Sequence, residues 1–155
     1  MVKQPRKRAV RALFVLVAAT ALSLTLATSA QAVHLGTLLE RGDQMNREDY
    51  IERNLGATFN YQRVRLVMQG DGNLVLYALA KSNMTGKTCW ASNTVGRGTR
   101  AVYQHDGNFV VYNVNTPTWA SNTVGDGGST VDINWLGKLY VGFKQITGEC
   151  HGNPI

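Results

Sequence analysis

Two nine-residue segments repeat a set of polar side chains that could bind a polyhydroxylated ligand. Residues 69–77 read QGDGNLVLY and residues 104–112 read QHDGNFVVY, so both follow Gln-x-Asp-Gly-Asn-x-Val-x-Tyr. A carboxylate accepts hydrogen bonds, the two amides accept and donate, and the phenol offers a hydroxyl. Because a duplicated core would need only its apolar residues repeated, the repeated polar residues predict a repeated binding site. The mixture suits a sugar ring with adjacent hydroxyls.

The side chains of each segment need a turn to meet around one ligand. In a single extended strand, the ends of the segment would lie about 26 Å apart at about 3.3 Å per residue. An Asp-Gly pair between β-runs favours a two-residue hairpin turn, which would bring Gln69 back beside Asn73 and Val75. The candidate sites are Gln69, Asp71, Asn73, Val75 and Tyr77, and Gln104, Asp106, Asn108, Val110 and Tyr112.

The duplication extends beyond the two segments, because WASNTVG follows each one, at residues 90–96 and 119–125. The two Gln residues are 35 positions apart and the two Trp residues 29, so the first unit carries six extra residues within 78–89. A repeat of this length forms a small unit that cannot bury its apolar face alone, which predicts a third unit. Trp90 and Trp119 are expected to fill the core between units rather than stack on sugars.

A degenerate third copy lies at residues 131–143, VDINWLGKLYVGF. With Gly137 aligned to the motif glycine, the Gln, Asp and Asn positions hold Asn134, Leu136 and Lys138. Shifted by one residue, they hold Trp135, Gly137 and Leu139. Since both alignments lose the polar set, we expect this unit to keep its strands without keeping the site.

The elements that position these residues are predicted to be β-strands throughout. Apolar residues alternate with others in short runs that are separated by glycine-rich turns. The alternating residues are Leu66, Met68, Leu74, Leu76, Ala101, Tyr103, Phe109 and Val111. Residues 46–55, NREDYIERNL, are the exception and fit either a brief helix or a charged loop.

The N-terminus predicts a secretory signal peptide over residues 1–32 and a single domain over residues 33–155. Five Lys and Arg precede an apolar run, and Ala30-Gln31-Ala32 supplies small residues for cleavage. Removal of this leader leaves 11 Lys and Arg against 10 Asp and Glu, a formal charge of +1. No nucleic-acid partner is therefore expected, because phosphate binding draws on clustered basic residues. No membrane span is expected after signal cleavage, and the localisation is predicted to be extracellular.

Two cysteines, Cys89 and Cys150, remain in the predicted mature chain. An even pair in an oxidising compartment favours a disulfide, which would stabilise the fold by roughly 4 kcal/mol in the chain-entropy model. Two free thiols and a link between chains are the alternatives that the sequence leaves open.

The doubled motif, followed each time by WASNT, resembles the bulb-type mannose-binding lectins of monocot plants, a domain also found in bacteria. The resemblance covers residues 35–147 and implies a β-prism II fold, an all-β architecture of three four-stranded antiparallel sheets about a pseudo-threefold axis. It also implies one sugar site per sheet, and hence two intact sites in this chain. Family members often have a disulfide that brackets the first repeat, but here the cysteines lie elsewhere.

The resemblance assigns a role to each residue of the motif. Asp71 and Asn73 would bind the axial 2-hydroxyl of mannose, Gln69 its 3-hydroxyl and Tyr77 its 4-hydroxyl, while Val75 would pack against ring carbons. The second motif would repeat these roles, and the third unit would bind no mannose. The expected partners are mannose or mannose-containing glycans, together with a homodimer formed by exchange of C-terminal strands.

Catalysis is not expected, and neither a cofactor nor a metal is. Asp71 and Asp106 could be imagined as the carboxylate pair of a glycosidase, but each lies in its own copy of the repeat. Identical units predict two equal sites and not one complementary pair. A second class is a lectin-like antimicrobial protein or inhibitor that acts through another surface of the same fold. Inhibition of the activity by free mannose would distinguish the lectin from that alternative.

Overall fold

The structure, a computed structural model, describes residues 31–80 and 86–152. The predicted signal peptide therefore lies outside the described residues, apart from its last two positions, and stays a prediction. Within the described part of the chain, no helix is long and apolar enough to cross a membrane.

Twelve short β-strands and no helix make up the secondary structure of the described residues. The strands are β1 Leu38–Glu40, β2 Gln44–Asn46, β3 Tyr50–Asn54, β4 Tyr61–Met68, β5 Leu74–Ala80, β6 Gly86–Ala91, β7 Arg100–Tyr103, β8 Phe109–Asn113, β9 Thr116–Ala120, β10 Thr130–Ile133, β11 Leu139–Val141 and β12 Lys144–Gln145. The all-β prediction is confirmed.

The strands form three four-stranded antiparallel sheets, as expected for a β-prism II. The first sheet has the order β3-β4-β5-β6, the second β2-β7-β8-β9 and the third β1-β10-β11-β12. Each sheet thus combines one repeat unit with one strand from the segment that precedes the repeats. The third repeat unit is present as β10 to β12, which confirms the prediction of a third unit.

Alternation along the strands places one face of each sheet in a shared core. Leu66, Leu76, Val111, Val131 and Val141 are fully buried and come from all three sheets. The eight residues picked out by alternation in the sequence are all 0% exposed. The opposite face of each sheet points outward, and we call these the first, second and third outer faces.

Residues 46–55 form neither of the two structures expected from the sequence. Strands β2 and β3 occupy most of this stretch and are joined by a tight turn at Asn46 to Asp49. The Asp49 carboxylate accepts a hydrogen bond from the Asn46 backbone N–H at 2.8 Å, and Glu48 adopts a left-handed φ of 74°. Ile51 is 0% exposed because β3 pairs with β4 along five residues. Sheet pairing therefore overrides the local helix signal.

The six extra residues of the first unit lengthen one hairpin. Strands β5 and β6 pair as far as Leu79 and Gly86, whereas β8 and β9 stop at Asn113 and Thr116. This difference between the hairpins falls within residues 78–89, where the repeat spacing placed the extra residues; residues 81–85 lie outside the described residues.

A disulfide joins Cys89 of β6 to Cys150, beyond β12, with the two Cα atoms 5.6 Å apart. Of the alternatives that the sequence left open, the structure has the bridge within one chain. It connects the first sheet to the segment that follows the third sheet across a sequence separation of 61.

Candidate functional site

The first five residues of the nine-residue motif form the hairpin loop between β4 and β5, and those of its copy form the loop between β7 and β8; the last four residues of each lie in β5 and β8. The Gln69 N–H donates to the Asn73 carbonyl at 2.8 Å, and the Gly72 N–H donates to the Gln69 carbonyl at 2.9 Å. Gly72 has φ 89°. These features belong to a three-residue loop that ends in a left-handed glycine, not to the two-residue Asp-Gly turn expected from the sequence. Position 72 requires glycine, because a Cβ atom there would lie 2.5 Å from the Gly98 carbonyl oxygen.

This loop gathers the polar side chains of the first candidate site on the first outer face. The Gln69 amide nitrogen donates to the Tyr77 hydroxyl at 2.8 Å, so the two ends of the motif touch. The Asp71 carboxylate accepts from the Asn73 backbone N–H at 2.9 Å. The structure therefore brings these predicted residues together at one end of β5.

The second candidate site repeats the same contacts on the second outer face. Gln104 donates to the Tyr112 hydroxyl at 2.7 Å, and Asp106 accepts from the Asn108 backbone N–H at 2.9 Å. Asp71 and Asp106 are both exposed, while both Gln and both Tyr residues are half-buried. The two copies of the motif therefore share the same hydrogen-bond geometry as well as the same sequence pattern.

The segment after each motif holds the Asn side chain in place, a role that the sequence interpretation missed. The Asn73 side-chain oxygen accepts from the Ser92 hydroxyl at 3.2 Å and from the Thr94 N–H at 3.1 Å. Thr94 also donates from its hydroxyl to the Gly72 carbonyl at 2.8 Å. Ser121 and Thr123 make the same contacts in the second unit. The repeated SNT within WASNTVG was the available signal.

Each site keeps a matched set of polar atoms for a ligand. In the first site, the second carboxylate oxygen of Asp71, the amide nitrogen of Asn73 and the amide oxygen of Gln69 have no hydrogen-bond partner among the described residues. The Tyr77 hydroxyl accepts from Gln69, so its own proton remains available to donate. The free atoms thus include both acceptors and donors, as the hydroxyls of a sugar require.

Val75 and Val110 contribute less surface than the sequence suggested. They are only 2% and 3% exposed, because each lies between flanking strands on the outer face of its sheet. These side chains can form a small apolar floor and not a broad contact with a sugar ring.

Trp90 and Trp119 pack against each other and against the core, but they are half-buried rather than enclosed. Their ring centroids are 5.2 Å apart in an edge-to-face arrangement, and Trp119 makes a similar contact with Phe109 at 6.3 Å. Neither ring lies in the polar set of its site. They connect the first and second sheets, in keeping with the structural role predicted for them.

The third unit keeps the loop and replaces the site. The Asn134 N–H donates to the Lys138 carbonyl and the Gly137 N–H to the Asn134 carbonyl, which fixes the alignment on Gly137. Thr147 accepts from the Leu139 N–H at 3.0 Å, as Ser92 does from Leu74. The next positions hold an ion pair, Lys138 to Glu149 at 3.4 Å, where the other units have Asn and Thr.

Basic side chains lie beside the two intact motifs, which the sequence interpretation did not identify. Arg65 pairs across the strands with Tyr77, and Arg100 pairs with Tyr112. The Arg65 guanidinium forms an ion pair with Glu52 at 2.7 Å, whereas that of Arg100 lies 5.1 Å from the Tyr112 ring centroid. The two sites therefore differ in their surroundings more than in their motifs.

The arrangement does not resemble a hydrolytic centre. Asp71 and Asp106 lie in the loops of two different sheets, each with its own copy of the motif, whereas a glycosidase places two carboxylates around one bond. Among the described residues, no group of three or more His, Cys, Asp or Glu could hold a metal ion. What the geometry provides is two equal sets of hydrogen-bonding groups.

No protein-family model matches the chain. A mannose-specific lectin from Dendrobium findlayanum is 34% identical over 91 residues, which are 57% of this chain and 46% of that protein. The chain thus matches about half the length of this curated relative.

Solved structures extend the similarity. The mannose-specific agglutinin from snowdrop (Galanthus nivalis), solved with methyl-α-D-mannoside, has a TM-score of 0.54 at 28% identity and covers 72% of this chain and 94% of its own. The mannose-specific bulb lectin from bluebell (Scilla campanulata) has a TM-score of 0.54 at 26% identity, with 72% and 95% covered. In sequence and in its β-prism II fold, the protein is therefore similar to the bulb-type mannose-binding lectins of monocots.

Proposed function

We propose that this protein is a secreted, non-enzymatic lectin that binds mannose or mannose-rich glycans through two sites, on the first and second outer faces. The observation that carries the proposal is the matched set of unpartnered polar atoms on Asp71, Asn73 and Gln69, repeated around Asp106. Relatives whose names state mannose specificity support the choice of sugar.

Stereochemistry gives the proposal its specificity. Asp71 presents a free acceptor and Asn73 a free donor side by side, and together they suit one hydroxyl that both donates and accepts. In mannose this is the axial 2-hydroxyl, which glucose holds equatorially. Mannose is therefore expected to bind in preference to glucose at both sites.

The energetics require more than one site for useful binding. Each hydrogen bond to the sugar replaces one to water and nets about 0.5–1.5 kcal/mol, so one site should bind a monosaccharide with a Kd in the millimolar range, about −4 kcal/mol. Two sites on one chain can raise avidity for a branched glycan by about 10² to 10⁴. A homodimer would add further sites and stays a prediction.

The sharpest test replaces both motif carboxylates by amides. In Asp71→Asn combined with Asp106→Asn, the remaining oxygen still accepts from the backbone N–H two residues on, so the loop is preserved. The free anionic acceptor is lost, and we expect retention on mannose-agarose to disappear. Asp43→Asn is the matched control, because that carboxylate also caps a loop, accepting from the Glu40 N–H at 2.8 Å. Retention of the double variant, with elution by free mannose, would overturn the site assignment.

Single variants test the number of sites. NMR titration of the unmodified protein with mannose should shift backbone amides at residues 73 and 108 with similar midpoints. Asp71→Asn should abolish only the first response, since the two sites lie on different sheets. Loss of both responses would contradict two independent sites.

Secretion is tested at the N-terminus of the exported protein. Expression of the full chain should release a product that begins at Val33, because Ala30-Gln31-Ala32 provides the cleavage site. N-terminal sequencing checks this, and an exported product that still carries the leader would contradict it.

A further inference from the structure

The third outer face carries a groove. Its volume is about 440 Å³, within the range of about 300–1,000 Å³ that is usual for small-molecule sites. Asp132, Asn134, Tyr140 and Phe143 contribute the side chains that matter to its chemistry. The groove does not belong to either proposed mannose site.

Two substitutions relative to the intact motif account for this groove. Aligned on the loop glycine, Gly142 stands where the other units have Tyr77 and Tyr112, so no ring fills the space beside Thr130. Tyr140 stands where the other units have a buried valine, so an aromatic ring now lies on the face.

The charge on this face is also reversed. Where the first two faces have Arg65 and Arg100, the third has Thr130, and Asp132 stands where they have valine. Asp132 lies directly across from Tyr140, with Thr130 donating to its carboxylate at 3.2 Å. Glu40 pairs with Thr130 on the same face. Neither Asp132 nor Glu40 is in an ion pair within the described part of the chain.

The residues that line the groove include one carboxylate, Asp132, and no Lys or Arg. The nearby Arg41 donates to the backbone carbonyl oxygens of His105, Asp126 and Gly128 and has none of the groove's side chains as a hydrogen-bond partner. Lys144 donates to the Ser121 carbonyl at 2.7 Å, toward the second sheet. The groove is therefore acidic and aromatic at neutral pH.

Aromatic rings beside a carboxylate favour a protonated amine, since ring faces and anions both attract a cation. The Phe143 ring is 77% exposed, which is unusual for a large apolar side chain and leaves it free to pack on a ligand. Asn134 uses its side-chain oxygen on the backbone N–H groups of Leu136 and Lys138, which leaves its amide nitrogen to donate to a hydroxyl. The combined chemistry is that of a polyol that carries one ammonium group.

We propose that the groove on the third outer face binds a protonated amino sugar, with the ammonium at Asp132 and the ring against Tyr140 and Phe143. The proposal does not depend on mannose binding at the other two faces. Together with the mannose sites proposed above, on which only this consequence rests, it would give one chain two specificities, one for a neutral sugar and one for a cationic sugar.

The test is an NMR titration with D-glucosamine at pH 6, where the amine is protonated, in parallel with N-acetyl-D-glucosamine and D-glucose. D-Glucosamine should shift the amides of residues 132, 140 and 143 to saturation, and the two neutral sugars should bind about tenfold more weakly or not at all. Equal binding of the neutral sugars, or no saturable response to D-glucosamine, would overturn the proposal.

Matched variants separate this site from the others. Asp132→Asn should weaken D-glucosamine binding about tenfold, whereas Asp71→Asn, the same change on the first face, should leave it unaltered. Unchanged positions of the backbone amide signals of residues 73 and 108 in Asp132→Asn, measured without any sugar, show that the variant is folded. A response to D-glucosamine that is insensitive to Asp132→Asn contradicts the assignment of the ammonium. Tyr140→Ala should weaken binding as well, and unchanged affinity would remove the ring from the site.

Discussion

The third outer face and the first two share one backbone and differ in nearly every side chain that could meet a ligand. All three hairpin loops close with the same pair of backbone hydrogen bonds and a glycine at positive φ. In the first two, a hydroxyl and a backbone N–H hold an Asn; in the third, Lys138 and Glu149 form an ion pair at the equivalent positions. The loop therefore needs only its glycine and its backbone bonds, and the ligand chemistry varies independently of it.

The comparison also shows how a lost site can become a different one. Removal of the tyrosine ring at Gly142 opens a groove, and the change from arginine to Thr130 together with Asp132 reverses the charge beside it. On the first two faces the same positions hold a tyrosine, an arginine and a valine. A duplicated scaffold can therefore carry two kinds of recognition.

The largest expected effect concerns the disulfide, which connects the first sheet to the end of the third unit. Replacement of both cysteines, Cys89→Ala with Cys150→Ala, should lower the free energy of unfolding by roughly 4 kcal/mol, because the unfolded chain regains the freedom of a long loop. Urea unfolding measures this, with the oxidised protein as the control. Since neither cysteine touches a motif side chain, mannose binding should survive at temperatures where the variant is folded. Unchanged stability would show that the bridge does not hold the sheets together.

A smaller effect tests whether the third site could be rebuilt by restoring its tyrosine. Gly142 has φ 58°, and a Cβ there would lie 2.2 Å from the Asp126 carboxylate. Gly142→Tyr should therefore destabilise the protein by about 1–3 kcal/mol from backbone strain alone. It should not create a third mannose response in the NMR titration.

Gly148→Ala is the control for that variant, since its Cβ would meet nothing within 4 Å. Its thermal unfolding should be close to that of the unmodified protein. If the Gly142→Tyr protein had normal stability and bound a third mannose, the expectation of backbone strain at position 142 would be wrong, and the missing tyrosine side chain alone would explain the lost site.

The hydroxyl that supports each motif provides the next test. Ser92 accepts from the Leu74 N–H and contacts Thr94 and Asn73, all in a buried or half-buried setting. Ser92→Ala should lower the free energy of unfolding by about 1–3 kcal/mol, because a buried N–H loses its partner. It should also weaken mannose binding at the first site while the response at residue 108 remains.

Thr147→Val makes the equivalent change in the third unit, where it removes the acceptor for the Leu139 N–H. A similar loss of stability with no change in mannose binding at either site is expected. If Thr147→Val abolished mannose binding, the separation between the faces would be wrong.

The smallest expected effect is a pH response confined to the third face. Hydrogen bonds from the Gly128 and Phe143 backbone N–H groups lower the pKa of Asp126 below its usual value. Partial desolvation opposes this shift, and the positive charge of Arg41 adds to it. A carboxyl whose pKa is depressed by folding stabilises the folded state at neutral pH, and this contribution is lost as the pH falls through the folded pKa, below about pH 4. The protection of the amides of residues 128 and 143 against exchange, taken relative to the intrinsic rate at each pH, should therefore fall in acid.

Asp126→Asn serves as the control for this response, because it removes the titrating group. Its amide exchange at residues 128 and 143 should show no transition below about pH 4. The same transition in the variant would assign the response to another carboxyl.

Much of the fold could be predicted from local sequence. The repeated polar framework located two candidate sites, the alternation of apolar residues identified core positions such as Leu66 and Val111, and the repeat length predicted the third unit. Residues 46–55 could not be predicted, because their charged sequence becomes strand only through pairing with β4. The prediction of a two-residue hairpin turn was also wrong, because the loop packs Gly72 against Gly98, which belongs to a distant segment of the chain.

The candidate sites show the same division. The motif residues were identified by type and spacing, but Ser92 and Thr94 were not, because their contacts with Asn73 cross about 20 positions of chain. The groove on the third face could not be predicted, because the sequence of the third unit shows only that the motif is lost.

The sequence by itself determined the repeats, the strand-forming pattern and the two polar frameworks, because these depend on residue type and on spacing over a few positions. Only the tertiary structure decided which early strand joins which sheet, which side chains hold each Asn, and that the degenerate third copy opens into an acidic, aromatic groove. These features arise where segments that are distant in the chain come into contact, and such long-range contacts cannot be predicted from residue type and spacing over a few positions.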